Sequence, residues 1–453
     1  MAKIDFTKIV KPYYKNAVIA LEELIKINSV YDQATISTSA PYGKGVKKAL
    51  NYIAELGELF GFEVDRCDNY LSELTFGKGD KLISVFAHAD VVPSGHGWEQ
   101  DPFIPFYKKG CLYGRGATDD KGPLMAAFYA IKALKDNNLI NNYRVRLVVG
   151  GDEERGSSCL KYYFEQLKKE QPTFGFTPDA TFPLVYGEKG ITNFISEKNI
   201  NLPEIVSLKG GLAFNSVIDQ ATLQFLADEQ FAEFLKKTRK IETKVLEQYV
   251  MEATFSGVSA HGSMPEKGKN AGLLALEAYA EFYQNKEIKK LISLFKDFNG
   301  KPFGGFKKGK NLGLTTYNLG VIEYQNKTLT LKVNFRYPEK TNVNECIKNF
   351  DLASGFTSKA IYDSPPLLFS LKSKLVKTLL NVYRDESDDK KTKPITMGGG
   401  TYAKNAENTI AFGPAFPYEV NNIHNANEFI NIKNFELQMI IYARAIYELG
   451  NLK

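Results

Sequence analysis

The sequence predicts an α/β protein in which a mostly parallel sheet flanked by helices is interrupted by an inserted α+β domain. The apolar, β-branched run at 82–92 is typical of a buried strand. A helical pattern at 123–139 and an alternating strand at 143–152 follow it, and this order predicts a βαβ unit. After residue 188, short strands alternate with helical patterns, which indicates a separate α+β domain.

The other elements follow from the same periodicities. Further helices are predicted at 13–27, 46–60, 158–169 with Ser157 as N-cap, and 434–449. Strands of the inserted domain are predicted at 191–200, 249–259, 311–321 and 328–338. The polar run at 384–393 is expected to be an exposed loop. We therefore expect one domain at 1–187 and 384–453 and the inserted domain at 188–383.

Composition and charge describe an ordinary folded protein. Of 453 residues, 43% are hydrophobic and 24% charged, enough to bury a large core without a disulfide scaffold. The net charge of +6 is small for this length, so no nucleic-acid partner is expected. The lysines at 307–310 carry no interleaved aromatic residues and are expected to lie in a solvated loop.

The N-terminal segment and the cysteines lead us to expect a cytoplasmic protein. The segment from Met1 to Tyr14 carries several charges and lacks the apolar stretch of a signal peptide. No segment is apolar over the length needed to cross a membrane. The four cysteines are irregularly spaced without a C-x-x-C pair, so we expect reduced, buried thiols.

Two motifs place metal-ligating residue types at predicted strand ends. His88 and Asp90 form H-x-D at the end of the first buried strand, where a carboxylate can fix the tautomer of a metal-binding imidazole. Glu153 and Glu154 follow the strand at 143–152, and one could bind a metal while the other accepts a proton. A solvated acidic turn is the alternative for this second motif.

Three further positions complete a set of oxygen and nitrogen donors. Asp119 and Asp120 lie in the Gly-rich segment GRGATDDKG, where Asp119 could bridge two cations or, alternatively, only cap the next helix. Asp179 lies among prolines and aromatic residues, where an unpaired carboxylate would be costly. His424 precedes the last helix. Such a donor set suits zinc, with manganese or cobalt as substitutes.

Taken in order, these motifs resemble one family. H-x-D, DDKG, DEE, PDA and the late histidine are similar to the co-catalytic two-metal peptidases and deacylases, which include glutamate carboxypeptidase, succinyl-diaminopimelate desuccinylase and aminoacylase. Strings such as FAHADVVPSGHGWEQDPF, TPDATFPLVYGEKG and NSVID most resemble the bacterial PepV-type dipeptidases. The resemblance runs from about residue 40 to the C-terminus.

The resemblance implies a role for each of these residues. His88 and Asp179 would bind one metal, Glu154 and His424 the other, and Asp119 both. Glu153 would be the general base for a water that bridges the two metals. Asp90 would orient His88, and a cis peptide would join Asp119 to Asp120.

The resemblance also implies that the inserted domain is a lid that supplies substrate contacts. His261, in GVSAHGSMP, matches the histidine that polarises the scissile carbonyl, with a structural histidine in a turn as the alternative. Arg336 and Asn215 match positions associated with the terminal carboxylate of the substrate and the transition-state oxygen; Arg336 could instead be an exposed strand arginine. Gly399 and Gly400, in the turn GGGTYA, could add backbone N–H donors.

The resemblance leads us to expect a monomeric metallo-dipeptidase that hydrolyses short peptides with a free amino terminus. A deacylase acting on N-acyl amino acids would use the same metals and base. A non-catalytic metal- or peptide-binding protein is a second alternative, disfavoured by the presence of Glu153 beside Glu154. A nucleotide-binding dehydrogenase is disfavoured by the incomplete glycine pattern.

Overall fold

The computed structural model describes residues 4–247, 249–420 and 422–452, which form two compact units. The first unit runs to residue 186 and includes 369–395 and the chain from 401 onward. The second unit comprises 187–368 and 396–400. Each unit buries its own hydrophobic core, so each carries its functional residues on a separate packed scaffold.

The first unit is built on a sheet whose central strands are parallel. The strand Lys81–His88 pairs in parallel with Tyr143–Gly150 on one side and Phe174–Thr177 on the other, and the latter pairs in parallel with Thr409–Ala411. The outer strands are antiparallel, and the order through these seven strands is Glu63–Asp65, Leu71–Gly77, Tyr143–Gly150, Lys81–His88, Phe174–Thr177, Thr409–Ala411 and Val185–Glu188. The predicted α/β fold with a mostly parallel sheet is confirmed.

Helices and two smaller sheets complete the first unit. Its α-helices are Phe6–Val10, Tyr14–Ile25, Lys44–Leu59, Lys121–Asp136, Ser158–Lys161, Lys374–Ser387 and Ile432–Gly450. In one small sheet Cys111–Tyr113 lies between Phe106–Lys108 and Phe429–Asn431, and in the other Ala180–Thr181 pairs with Pro414–Ala415. Lys121–Asp136 and Ile432–Gly450 pack against each other and against the central strand. Because that strand is covered, it is buried from Leu82 to His88.

The helix predicted at 158–169 begins where expected but differs in its cap and in its end. Ser157 occupies the N-cap position of its short helix but has a left-handed φ of 59° and makes no capping bond; the Asp152 side chain accepts the Ser158 N–H at 3.2 Å instead. The α-helix ends at Lys161 and continues as a π-helical turn, Tyr162–Gln166. A left-handed φ of 53° at Lys168 stops the helix short of its predicted end.

The segment after residue 368 also differs from expectation. The helix Lys374–Ser387 covers the first residues of the predicted loop at 384–393, because Leu379, Val382 and Tyr383 lie buried at helical spacing. Its last turn is held in the first unit by ion pairs from Arg444. The predicted boundary at 383/384 would cut this helix; the compact unit begins at 369 instead.

The second unit carries an antiparallel sheet and helices, as the α+β pattern predicted. In the described residues, the strand order is Thr243–Glu247, Val250–Ser256, Gln220–Leu226, Ile205–Gly210, Thr316–Gln325, Thr328–Tyr337, Gly190–Asn199 and Thr357–Ser364. Its α-helices are Glu229–Phe234, Ala271–Phe282, Lys286–Phe295 and Val343–Ser354. The strand predicted at 311–321 begins only at Thr316, because Gly313 turns the chain with a left-handed φ of 72°.

The structure also shows how deeply the cysteines are buried and whether any described helix could span a membrane. Cys67, Cys159 and Cys346 are buried with free thiols, whereas Cys111 is half-buried, so the expectation of buried thiols is wrong at that position. Among the described residues, the helices include none that is both long enough and apolar enough to span a membrane.

Candidate functional site

The strands of the first unit bring the candidate metal ligands to one edge of the sheet. His88 is the last residue of its strand, Glu154 follows Tyr143–Gly150, and Asp179 follows Phe174–Thr177. These strands are parallel neighbours, so their carboxyl ends meet at the same edge. Asp119 precedes the helix Lys121–Asp136, and His424 lies in the loop before the last helix.

The five candidate ligands form two groups that share one carboxylate. Ligand atoms of His88, Asp119 and Asp179 lie within 4.8 Å of one another, as do those of Asp119, Glu154 and His424. The two oxygens of Asp119 face different histidines: Oδ1 lies 3.0 Å from Nε2 of His88 and Oδ2 lies 2.9 Å from Nε2 of His424. Oε1 of Glu154 lies 3.2 Å from the His424 nitrogen. A carboxylate in this position can bridge two cations.

The donor set fits divalent cations. Each group offers one imidazole nitrogen and two carboxylates, a combination that suits zinc and is accepted by manganese or cobalt. Burial raises the pKa of Asp179 well above its ordinary value, and the negative charges of Glu153 and Asp119 raise it further. Such a concentration of buried carboxylates is costly unless positive charge balances it. Two divalent cations would supply that charge.

Asp90 contacts both segments that carry candidate metal ligands. The Nδ1–H of His88 donates to the backbone oxygen of Asp90 at 2.9 Å, which leaves the Nε2 lone pair available to a metal. The Asp90 carboxylate accepts the backbone N–H groups of Glu153 and Glu154 at 3.1 and 3.2 Å. Asp90 therefore orients the imidazole of one ligand group through its backbone oxygen and the backbone that carries the other group through its carboxylate.

The Asp119–Asp120 segment does not cap the following helix with a side chain. The peptide bond between the two residues is cis, as the resemblance implied. Asp120 occupies the N-cap position without a side-chain capping bond, and its Oδ2 instead accepts the backbone N–H of His88 at 3.1 Å. Hydrogen bonds from His424 and His88 hold the pKa of Asp119 below its ordinary value although burial opposes this. The capping alternative for Asp119 is therefore wrong.

A buried ion pair that the sequence did not reveal shapes this segment. Arg115 Nη1 donates to Glu428 Oε2 at 2.7 Å, and both side chains are 1% exposed. The same carboxylate accepts the backbone N–H groups of Gly116, Thr118 and Asp119 at 2.9–3.2 Å. Glu428 lies four residues after His424. Its carboxylate therefore links the backbone of Asp119 to the loop that carries His424. In the sequence, the only sign of this ion pair is that the charged residue Glu428 lies so close to the candidate ligand His424.

We expect Glu428→Gln to destabilise the fold by about 3 kcal/mol, because it leaves the Arg115 guanidinium buried without its partner charge. Urea unfolding of both proteins under the same metal loading measures the difference. The exposed Glu99–Lys108 pair provides the control, since Glu99→Gln removes an ion pair of 2.6 Å in water and should cost less than about 1 kcal/mol. Equal losses for the two variants would contradict a clamping role for Glu428.

In the second unit, Asn215 and His261 lie on paired segments. The backbone N–H of Gly262 donates to the Asn215 carbonyl at 2.7 Å, and Ser216 forms an isolated antiparallel bridge with His261. Both Asn215 and His261 are exposed, and His261 Nδ1 lies 2.6 Å from the Ser263 hydroxyl. The histidine is therefore anchored through its turn and presents an exposed ring.

Arg336 is buried rather than exposed on its strand, so the alternative of a solvated arginine is wrong. It is 4% exposed and donates from Nε to Asn334 Oδ1 at 2.6 Å and from Nη1 to the Gly398 carbonyl at 3.0 Å. Within the described residues no carboxylate forms an ion pair with Arg336. Burial lowers its pKa to about 10, and a buried guanidinium without an acidic partner is suited to an anionic ligand.

The glycine turn contacts Arg336 through a carbonyl oxygen, which accepts a hydrogen bond from the guanidinium. Gly398 contributes its carbonyl oxygen to the guanidinium, while Gly399 is half-buried and Gly400 is exposed. Lys189 adds a second cation that the sequence did not single out: burial and then the charge of Arg336 lower its pKa. The Lys189 ammonium donates to the Leu314 carbonyl, so the case for an anion site in this unit rests on Arg336.

Comparisons with known proteins point to one peptidase family. The model of peptidase family M20/M25/M40 matches residues 85–448. The "Putative dipeptidase YtjP" of Bacillus subtilis is 37% identical over 95% of this chain and 96% of its own length. The "Putative dipeptidase SAR1836" of Staphylococcus aureus is 34% identical, with 97% and 98% covered.

Solved structures share the fold across the whole chain. Human carnosine dipeptidase 1 superposes with a TM-score of 0.59 at 14% identity, covering 99% of this chain and 98% of the other. The dipeptidase Dug1p of Saccharomyces cerevisiae gives a TM-score of 0.59 at 15% identity, with 98% of each chain covered. At these identities the likeness concerns the fold.

Proposed function

The chain belongs to peptidase family M20/M25/M40 and is a peptide-bond hydrolase, and we propose that it is a two-metal dipeptidase acting on short peptides with a free amino terminus. The observation that carries this proposal is the pair of ligand groups sharing Asp119. Glu153 belongs to neither group among the described residues, although it is adjacent to the ligand Glu154. A carboxylate left free beside a metal pair is suited to proton transfer.

The proposal divides the ligands between two cations. His88 and Asp179 would hold one cation, Glu154 and His424 the other, and Asp119 both. When bound, divalent cations lower the pKa of water and polarise a carbonyl group. Asp90 would keep the His88 ring and the Glu153–Glu154 backbone in place throughout the reaction.

Glu153 would act first as base and then as acid. We propose that its carboxylate accepts the proton of the attacking water and later delivers that proton to the leaving amine. Burial and the neighbouring Glu154 charge raise the pKa of Glu153, with His88 acting in the opposite direction. A carboxyl group with a raised pKa is better matched to both steps than one with an ordinary value.

The second unit would supply substrate recognition. His261 would donate a hydrogen bond to the carbonyl oxygen of the scissile bond as negative charge develops there. Arg336 would bind the terminal carboxylate of the substrate, and the N–H groups of Gly399 and Gly400 would add donors to it. Asn215, beside His261, would contact the transition-state oxygen.

We expect Arg336→Met to lower kcat/KM for dipeptides by about 30- to 100-fold, mostly through KM, because a charge-assisted bond of about 2–3 kcal/mol to the substrate is lost. Steady-state kinetics on one dipeptide measures this. Lys332→Met removes a cation from the same strand and should change kcat/KM less than about twofold. An Arg336 variant that matches this control would contradict carboxylate binding by Arg336.

Paired free and N-acetylated dipeptides test the proposed substrate class. The protein is treated with a chelator, zinc, manganese or cobalt is restored, and amino-acid release is followed by chromatography. The proposal predicts metal-dependent cleavage of the free dipeptides alone. Cleavage of only the acetylated partners would assign a deacylase, and no cleavage with any metal would indicate binding without turnover.

A further inference from the structure

The turn that follows His261 holds one nitrogen of its ring. Nδ1 of His261 lies 2.6 Å from Oγ of Ser263 and accepts the backbone N–H of the same serine at 3.3 Å. Both contacts come from a residue two positions further along the chain. The ring nitrogen nearer the backbone is therefore engaged by its own turn.

The backbone contact favours one of the two neutral tautomers, and the hydroxyl contact adds to it. An amide N–H can only donate, so it requires a lone pair on Nδ1, and in a neutral imidazole the proton must then reside on Nε2. A proton on Nδ1 would place an N–H donor against the amide N–H donor. The Ser263 hydroxyl can rotate to donate to the same lone pair. Both groups of Ser263 thus favour the Nε2–H tautomer.

The turn itself has little freedom. The backbone N–H of Met264 donates to the His261 carbonyl at 2.8 Å, and that of Gly262 donates to the Asn215 carbonyl at 2.7 Å. Ser263 also packs against Gly398, where an added Cβ would lie 3.0 Å from the serine Cβ. The Ser263 side chain, which contacts His261, therefore packs against Gly398, whose carbonyl contacts Arg336.

We propose that Ser263 is a positioning residue that holds His261 in the Nε2–H tautomer, so that Nε2 can donate to the scissile carbonyl oxygen. This inference rests on the proposed function, because the tautomer of His261 matters for catalysis only if His261 acts on a carbonyl group. The donor is then in place before the substrate arrives, and no proton has to move to create it. The contacts with Gly398 also give the carboxylate-binding and carbonyl-binding residues of this unit a common support.

The ring nitrogens can be read directly by nuclear magnetic resonance. The chain has only four histidines, so ¹⁵N-histidine labelling of the zinc-loaded protein gives few signals, and His261→Gln identifies those of His261. At neutral pH we expect the signal of an unprotonated nitrogen at Nδ1 and of a protonated one at Nε2. The reverse assignment would overturn the proposal.

Variants of Ser263 separate positioning from general stability. Ser263→Ala should shift the His261 signals toward a mixture of tautomers and lower kcat about tenfold with KM nearly unchanged, because one hydrogen bond to the ring is lost. Ser263→Thr keeps the hydroxyl and should restore both. Ser259→Ala is the control, since Ser259 contacts the Ser216 hydroxyl in the same loop. Wild-type signals and kcat in Ser263→Ala would overturn the proposal.

The spectrum is recorded without substrate, which keeps the two hypotheses apart. A protein that cleaves no dipeptide would overturn the proposed function, while the ring signals would still decide where the proton of His261 resides.

Discussion

Glu153→Gln should lower kcat for dipeptide hydrolysis by about 10³- to 10⁴-fold, the full contribution of a positioned general base. The amide keeps the size of the side chain but can neither accept the proton of water nor deliver it to the leaving amine. The metal ligands are untouched, and the Glu153 backbone stays bonded to Asp90. Metal content and KM should therefore remain close to those of the parent protein.

The matched control makes the same chemical change on the surface. Glu165 lies exposed in the π-helical turn of the same unit, so Glu165→Gln should leave kcat within about twofold. Stopped assays by chromatography, with metal content measured on the same samples, compare the variants. If Glu153→Gln retained more than about a tenth of the parent kcat, the assignment of the base would be wrong.

Asp119→Asn should remove metal from both sites together. Asp119 is the residue that the two ligand groups share, with one oxygen directed to each histidine. An amide is a weaker metal ligand than a carboxylate and leaves the site one negative charge short. We expect fewer than one zinc per chain after dialysis and a fall in kcat/KM of at least about a thousandfold, because metal-assisted attack is lost.

Atomic emission measures the metal content of this variant. Asp80→Asn, an exposed aspartate in the same unit, should keep two ions and the parent activity. Loss of a single ion from Asp119→Asn would contradict the shared carboxylate, because then Asp119 would serve only one cation.

The candidate metal ligands could be predicted because each lies in a local motif with a chemical reason for its place. His88, Glu154 and Asp179 end or follow buried strands, and apolar runs reveal such strands in a sequence. Because the carboxyl ends of parallel neighbours meet at one edge of a sheet, we could predict that these residues lie close together without knowing any tertiary contact. The division of the ligands between two metals came from the family resemblance, and the distances are consistent with it.

The features that the sequence did not reveal depend on distant partners. Arg115 and Glu428 are separated by 313 positions, so no local pattern pairs them. Ser157 has the residue type of an N-cap, but the nearby Asp152 carboxylate takes the capping bond. The polar run at 384–393 predicted a loop, but the helix Lys374–Ser387 continues into it. Its buried apolar face and the ion pair from Arg444 stabilise the additional turn. Tertiary context overrides local propensity at each of these positions.

Zinc titration into chelated protein would show whether hydrolysis requires two metal ions. Calorimetry would count the ions bound per chain, and the hydrolysis of one free dipeptide would be followed at each step. We expect activity to be absent without metal and to reach its maximum only as the second equivalent binds. Full activity in the metal-free protein, or maximal activity at one equivalent with no second ion bound, would contradict this expectation.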